Sequence, residues 1–419
     1  MHDLNLHIFL TWGISLLSIL LMLLRPKGLP EAVWISAGAI LLVLTHSVTL
    51  RNAGHAIYEG HDVYLFLLGM MTLAEVARQE KVFDWIANIA ARRADGSAAR
   101  LFLLIYLAGT AVTVFLSNDA TAVVLTPAVL AVVRHAKVKA KPYLLACAFI
   151  ANAASFVLPI SNPANLVVFG EKLPSLMAWL RVFLLPAMAS IAVTFVVLRL
   201  LSRRDLDCAV EMPEPNGGLS TAGKLSLAGI AIAAMTLTLA SAAGWRLGAP
   251  TFAAGMLTLA LVSTRDRQVW KTTAKGISWP VIALVGGLFI IVEALNGAGM
   301  LQVSQAGLSW LMHTADGYAK FIGAFAVALL SNGMNNLPVG LASGISLQRA
   351  HSAPIILHSV LIGVDLGPNL SVTGSLATIL WLIALRREGE EITAWEFLKT
   401  GAVVMPLALT AALLLLFSW

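Results

Sequence analysis

The sequence is short of charge. Only 12% of its 419 residues are Asp, Glu, Lys or Arg, about half the ~25% of a soluble globular domain. Cysteine is nearly missing, with Cys147 and Cys208 alone, so a disulfide framework and a thiolate metal site are excluded. The opening "MHDLNLH" carries no positive leader, so the first apolar run reads as a retained helix. No phosphate loop, metal-ligand spacing or nucleophile–base pair stands out, which makes an enzyme the weakest reading, and no cofactor is expected. The net charge of +6 does not point to nucleic acid, because the basic residues fall in short loops between apolar runs.

Apolar sequence is what fills the chain: 58% of residues are hydrophobic and the mean hydropathy is +0.84. Runs of about 20 residues recur, enough to cross a ~30 Å hydrocarbon core, without the short alternating strands of a barrel. The expected fold class is an all-α polytopic membrane protein. Apolar segments fall near 6–24, 31–50, 62–80, 101–116, 118–134, 142–170, 181–200, 225–243, 248–263, 278–297, 318–331, 332–348, 354–385 and 399–418. Two pairs, 101–116 with 118–134 and 318–331 with 332–348, are short and joined by almost nothing. Each reads as a re-entrant helical hairpin, which leaves ten transmembrane segments. With the N-terminus outside, 22 of the 28 Lys and Arg then face the cytoplasm, as the positive-inside rule requires. Both termini are expected outside the cytoplasm, in the cell inner (plasma) membrane. Trp34, Trp179, Trp279, Trp395 and Trp419 sit near predicted span ends and suit an interfacial belt.

One long polar stretch, 202–224, divides the chain, and internal similarity spans it. "FLSNDATAVVLTPAVLAVVRHA" (115–136) aligns without gaps against "LLSNGMNNLPVGLASGISLQRA" (329–350), pairing Ser117 with Ser331 and Asn118 with Asn332. Gly69 pairs with Gly287 and Glu75 with Glu293, and 160–168 aligns with 372–380. Residues 1–201 and 225–419 therefore read as two inverted-topology repeats joined by a cytoplasmic linker, the sequence pattern of secondary transporters.

Four polar breaks interrupt the apolar runs: 117–121, 161–165, 331–336 and 373–378. Backbone without internal hydrogen bonds survives at membrane depth only inside protein or beside water. Segments 142–170 and 354–385 are expected to be broken helices, unwound at Pro163 and around Gly367–Pro368. The two hairpin tips and two unwound centres would converge near the midplane. The substrate-binding candidates are Ser117, Asn118, Asp119, Thr121, Ser161, Asn162, Asn165, Ser331, Asn332, Asn335, Thr373, Gly374, Ser375 and Thr378. No Arg or Lys lies among them, so a small neutral or weakly charged hydroxylated solute fits better than a multi-carboxylate.

At these residues the chain resembles the arsenite efflux permeases (ArsB type) of the ion transporter superfamily. "LSNDATAVVLTP" is similar to that family's first hairpin tip, "FIANAASFVLPISNPANLVV" to its first broken helix and "GVDLGPNLSVTGSLATILWL" to its second. The resemblance implies export of arsenite or antimonite, as trivalent hydroxides, in exchange for protons by alternating access. It also admits a homodimer and a cytoplasmic ATPase subunit as partners. Relatives in the superfamily move sodium or carboxylates with similar tips, so a sodium/proton antiporter and a small-anion transporter are alternatives, as is a channel for neutral solutes.

Four carboxylates fall within apolar segments: Glu75, Asp119, Glu293 and Asp365. Ionisable groups at membrane depth are costly and are functional candidates for that reason. Asp119 adjoins the Ser117–Asn118 tip and is the leading proton-coupling candidate. Asp365 either relays protons or caps freed N–H groups. Glu75 and Glu293 match across the halves, which favours tying each span to a neighbouring hairpin over proton relay. Cys147 reads as a small buried hydrophobe, and His46 and His358 as packing or interfacial residues.

Overall fold

The computed structural model describes residues 2–211, 218–300, 302–303, 306, 318–350 and 353–417; Trp419 lies outside them, as does part of the linker. The described chain is helical almost throughout, because a helix satisfies its own backbone where no water can. The first half holds α1 (His2–Leu24), α2 (Glu31–Leu44), α3 (Leu50–Glu59), α4 (His61–Gln79), α5 (Val82–Arg93) and α6 (Ala98–Phe115). A helical turn at Asn118–Ala120 (α7), a π turn and α8 (Thr126–His135) follow, then α9 (Lys141–Ala153), α10 (Pro163–Phe169) and α11 (Leu176–Leu201). The second half holds α12 (Thr221–Ala242), α13 (Gly248–Ser263), α14 (Val269–Gly276), α15 (Trp279–Gly297), α16 (Ala319–Met334), α17 (Asn336–Arg349), α18 (Pro354–Leu366), α19 (Leu376–Arg387) and α20 (Ala394–Leu416). Helix α5 falls where a plain loop was expected.

Five of these, α6, α11, α12, α15 and α20, are long and apolar enough to cross a membrane by length and composition. Yet α6 turns back on itself. Thr121, just past the turn, hydrogen-bonds Thr113 at 2.8 Å, which closes a hairpin tip. Length alone therefore misreads α6, and the polar break corrects it. The sequence-expected broken helices are present as α9–α10 and α18–α19, each interrupted by non-helical backbone and 3₁₀ turns.

Small residues let the helices approach, as in membranes generally. Helix α4 packs on α13: a methyl group added at Gly69 would meet the Thr251 carbonyl oxygen at 2.4 Å, and one at Gly255 would meet the Gly69 oxygen at 2.7 Å. Helix α15 packs on α2, where Gly287 lies against Ile35. The two close pairs thus each join one half to the other. The long helices α11 and α20 pack together. Trp279 and Trp395 are exposed, as a belt requires, but Trp179 is fully buried. Its Nε1 donates to the Phe156 carbonyl at 3.1 Å, so Trp179 serves the first broken helix, not the interface. His358 packs on the rings of Phe169 and Phe183, and Cys147 is buried.

Gly69→Ala should destabilise the protein by about 1–3 kcal/mol through overpacking against rigid backbone, read as a lower melting temperature in detergent. Gly13→Ala, in α1 where no atom lies within 4 Å of the added carbon, should be neutral or gain up to about 1 kcal/mol of helix propensity.

Candidate functional site

Four helices begin inside the apolar body, and each begins on its own capping signal. Ser117, in extended backbone, accepts from the Ala120 N–H at 3.1 Å. Asn162 accepts from the Ala164 N–H at 3.0 Å ahead of Pro163. Asn335 accepts from the Leu337 N–H at 3.3 Å, and Ser375 from the Thr378 N–H at 3.1 Å. Short polar N-caps and Pro at the first helical position are the residues that start helices. The π turn at Thr121–Leu125 precedes Pro127, whose missing N–H and bulky ring would disrupt a regular α-turn there.

These four N-termini converge. One small cavity of about 10 Å³ is lined by Asn118 and Asp119 of α7, Asn162 and Pro163 at the start of α10, Asn336 and Leu337 of α17, and Ser375 and Leu376 at the start of α19, closed by Leu67, Val281 and Ala377. Unpaired backbone N–H groups and the positive ends of helix dipoles point at such a place. A second cavity of about 80 Å³ shares Leu67, Asp119 and Pro163 with it. Its walls include Met70, Met71, Glu75, Gly276 and Ser278, and its inner end reaches Ser117, Asp119 and Pro163. Glu75 and Gly276 lie beside Arg78 and Lys275, so this vestibule opens toward the Lys/Arg-rich side of the protein. Neither lining contains Arg or Lys. Asp119 lines both cavities, is half-buried, and its carboxylate has no hydrogen bond among the described residues.

The unwound backbone is satisfied by side chains. The Asn165 amide donates to the carbonyls of Ser155, Leu158 and Pro159 at 2.9, 3.2 and 3.3 Å. Ser161 Oγ donates to Val114 at 3.0 Å and Ser190 Oγ, from α11, to Ala153 at 2.9 Å. In the second half Asn332 Nδ2 donates to Ala328 and Gly367 at 2.7 and 3.0 Å. Its Oδ1 accepts from Ser371 at 2.6 Å, and its backbone carbonyl accepts from Thr373 at 2.9 Å.

Side-chain hydrogen bonds cross between the broken helices. Asn152 is the next-to-last residue of α9. Its Nδ2 donates to Asn369 Oδ1 at 3.0 Å, and its Oδ1 accepts from the α19 cap Ser375 at 3.5 Å. Asp365 is the next-to-last residue of α18, and its Oδ1 accepts from the α10 cap Asn162 at 2.7 Å. Each first half-helix therefore ends on a side chain that holds the other half's cap. Asp365 is fully buried and its Oδ2 is unpartnered. Asp365 thus bonds a helix-capping side chain rather than freed N–H groups.

Of the sequence candidates, Ser117, Asn118, Asp119, Asn162 and Ser375 line a cavity, and Thr378 bonds Ser375. Ser161, Asn165, Asn332 and Thr373 tie backbone, Ser331 bonds back to Val327 at 2.9 Å, Gly374 packs on Pro368, and Thr121 closes the first tip. Ser331 and Asn332 end α16, whereas Ser117 and Asn118 begin α7. By place in the hairpin, Asn335–Asn336 answers to Ser117–Asn118, so the gapless alignment is displaced by about one helical turn. Glu75 is held by Arg78 and Gln79 of its own helix, with Oε2 accepting from Arg78 Nε at 2.7 Å, not by a hairpin. Glu293 is half-buried and lines neither cavity. Asn152, Asn336 and Asn369 were missed; the "NNLP" and "NP" capping signals within apolar runs mark the helix starts that Asn336 and its neighbours serve.

A helical body with hairpins, broken helices and a central cavity of helix N-termini defines a polytopic membrane transporter. The chain belongs to the citrate transporter (CitMHS) family, whose model matches residues 18–362. It is 26% identical over 412 residues to the arsenical pump membrane protein of Escherichia coli (strain K12), covering 94% of this chain and 95% of that one. It is 25% identical over 410 residues to an uncharacterized transporter of Mycobacterium tuberculosis (strain ATCC 25618 / H37Rv), covering 91% of both. Its fold is like that of the Alcanivorax borkumensis YdaH transporter, with a TM-score of 0.60 at 14% identity over 88% of this chain and 87% of that one. MtrF of Neisseria gonorrhoeae gives 0.53 at 13% identity, over 91% and 84%.

Asn152→Leu should cost about 1–3 kcal/mol by leaving the buried Asn369 Oδ1 without its donor. Adding Asn369→Leu should recover part of that loss, with a coupling energy of at least ~0.5 kcal/mol in a thermal-unfolding double-mutant cycle.

Proposed function

We propose that this protein exports arsenite or antimonite, as neutral trihydroxides, in exchange for protons by alternating access. The observation that carries this reading is a small cavity where four helix N-termini and neutral Asn and Ser side chains surround one carboxylate, Asp119. Hydroxyl oxygens of the solute accept from backbone N–H groups, while its O–H groups donate to Asn and Asp oxygens. The names of relatives along nearly the whole chain support the substrate. Asp119 is the proposed proton carrier: solute binds from the vestibule while it is ionised, and its protonation from outside permits the return. Asp365 is a second coupling candidate through Asn162. The division at 202–224 into two inverted repeats, with both termini outside, is part of the same proposal. The vestibule then opens to the cytoplasm, the side from which an exporter loads. The two joined halves and the cross-half helix pairs support this division, and so do the crossed bonds of Asn152 and Asp365.

A carboxylate substrate is the second reading, favoured by the family's description and by the N-termini, which attract anions. Against it, a tricarboxylate would lie beside Asp119 with no Arg or Lys in either lining, where desolvated charge requires a partner. Inverted vesicles containing the protein should accumulate trivalent arsenic when a proton gradient is imposed, and should not accumulate citrate. Asp119→Asn should abolish the gradient dependence, and Asn162→Ala should lower uptake roughly tenfold by removing a cap and the Asp365 bond. Gradient-driven uptake persisting in Asp119→Asn would remove Asp119 as carrier, and citrate uptake without arsenic uptake would overturn the substrate.

A further inference from the structure

A further cavity, sharing no lining residue with the two at the candidate site, is rich in arginine. Arg199 lies in the last turn of α11, and Arg203 and Arg204 follow just past its end. They line a cavity of about 360 Å³ together with Ala99, in the first turn of α6, and with Leu206 and Asp207. Three arginines and one aspartate line it, a formal local surplus of two positive charges.

Among the described residues, several cations near this surface hold carboxylates: Arg100 pairs with Asp95, Lys137 with Glu211 at 2.8 Å, Lys139 with Asp205 at 2.5 Å and Lys141 with Glu396 at 2.5 Å. None of Arg199, Arg203 and Arg204 has an ion pair there. Charges placed only to orient the chain in the membrane need not share a cavity, and these three do.

We infer that this cavity binds the phosphate headgroup of an anionic phospholipid. The guanidinium fork matches phosphate oxygens two at a time, and basic pockets at the cytoplasmic membrane surface hold such headgroups. An acyl path adjoins the pocket. Val196 on α11 is 51% exposed, and Leu103 and Leu107 on α6 are 36% and 51% exposed, each further along its helix into the apolar body than the arginines and Ala99. A free phosphate would use the arginines and ignore this apolar strip. Helix α11 packs on α9 and α20, so a bound lipid would anchor the helix that covers the first break. The inference is independent of which solute is carried.

The test is lipid retention. The full-length protein in mild detergent is incubated with phosphatidylglycerol, or with phosphatidylcholine of the same chains, and bound lipid is counted by native mass spectrometry. Phosphatidylglycerol should be retained in preference, and the triple variant Arg199→Gln, Arg203→Gln, Arg204→Gln should lose it by roughly fivefold per arginine. A control triple, Lys137→Gln, Lys139→Gln, Lys141→Gln, should retain it, which separates a pocket from a generally basic surface. If the arginine variant does not remain monodisperse, competition serves instead: 10 mM inorganic phosphate should leave the wild-type lipid in place. Displacement by phosphate, equal retention of the two lipids, or equal loss in both triple variants would each overturn the proposal.

Discussion

Unwound backbone at membrane depth needs hydrogen-bond partners, and lipid offers none. Everything around the central cavity follows from that constraint. The carbonyls freed at 153–159 are taken by Ser190, Trp179 and Asn165, and those at 332 and 367 by Thr373 and Asn332. Breaking a helix frees N–H groups at the start of the next one, and four such starts face one another. The polar residues in this protein therefore do two kinds of work. One set silences broken backbone, so that the other set of backbone groups can be left open to a solute.

This division explains what was legible in the sequence. Polar residues inside apolar runs located all four breaks, because nothing else makes them tolerable there. Which of those residues face the cavity was not legible, since Asn332 and Asn118 are the same residue type in nearly the same tetrapeptide. What separates them is the turn: Asn118 lies after it and Asn332 before it. A gapless alignment cannot see a one-turn displacement, but capping chemistry can, because Ser117, Asn162, Asn335 and Ser375 each sit immediately before a helix. Trp179 was misjudged for a related reason. Its nearness to a span end was right, but a vacant carbonyl at Phe156 drew its N–H inward.

The matched glutamates teach the converse. Glu75 and Glu293 align, yet one borders the vestibule beside Arg78 and the other is half-buried away from it. A match in sequence does not fix a side chain's role, because local neighbours decide what a carboxylate does. The correspondence that survives in the geometry is between Asn152 and Asp365, at the same place in the two broken helices. An amide there can donate and accept; a carboxylate only accepts when ionised. The first half thus ends in a satisfied amide, and the second in an acid with one oxygen unpartnered.

Asymmetry of this kind is what a coupled carrier requires. Two identical halves would present the solute with the same groups from both sides, and a proton would have no preferred place to act. At the hairpin tips the acid stands alone: Asp119 follows Asn118, whereas Leu337 follows Asn336. On the proposed reading, Asp119 when ionised accepts a solute hydroxyl and sets its charge against four helix N-termini. When protonated, it donates instead and leaves those N-termini without a counter-charge. One proton therefore changes both the hydrogen-bonding sense and the electrostatics of the same small cavity, which is the minimum needed to make solute affinity depend on proton occupancy.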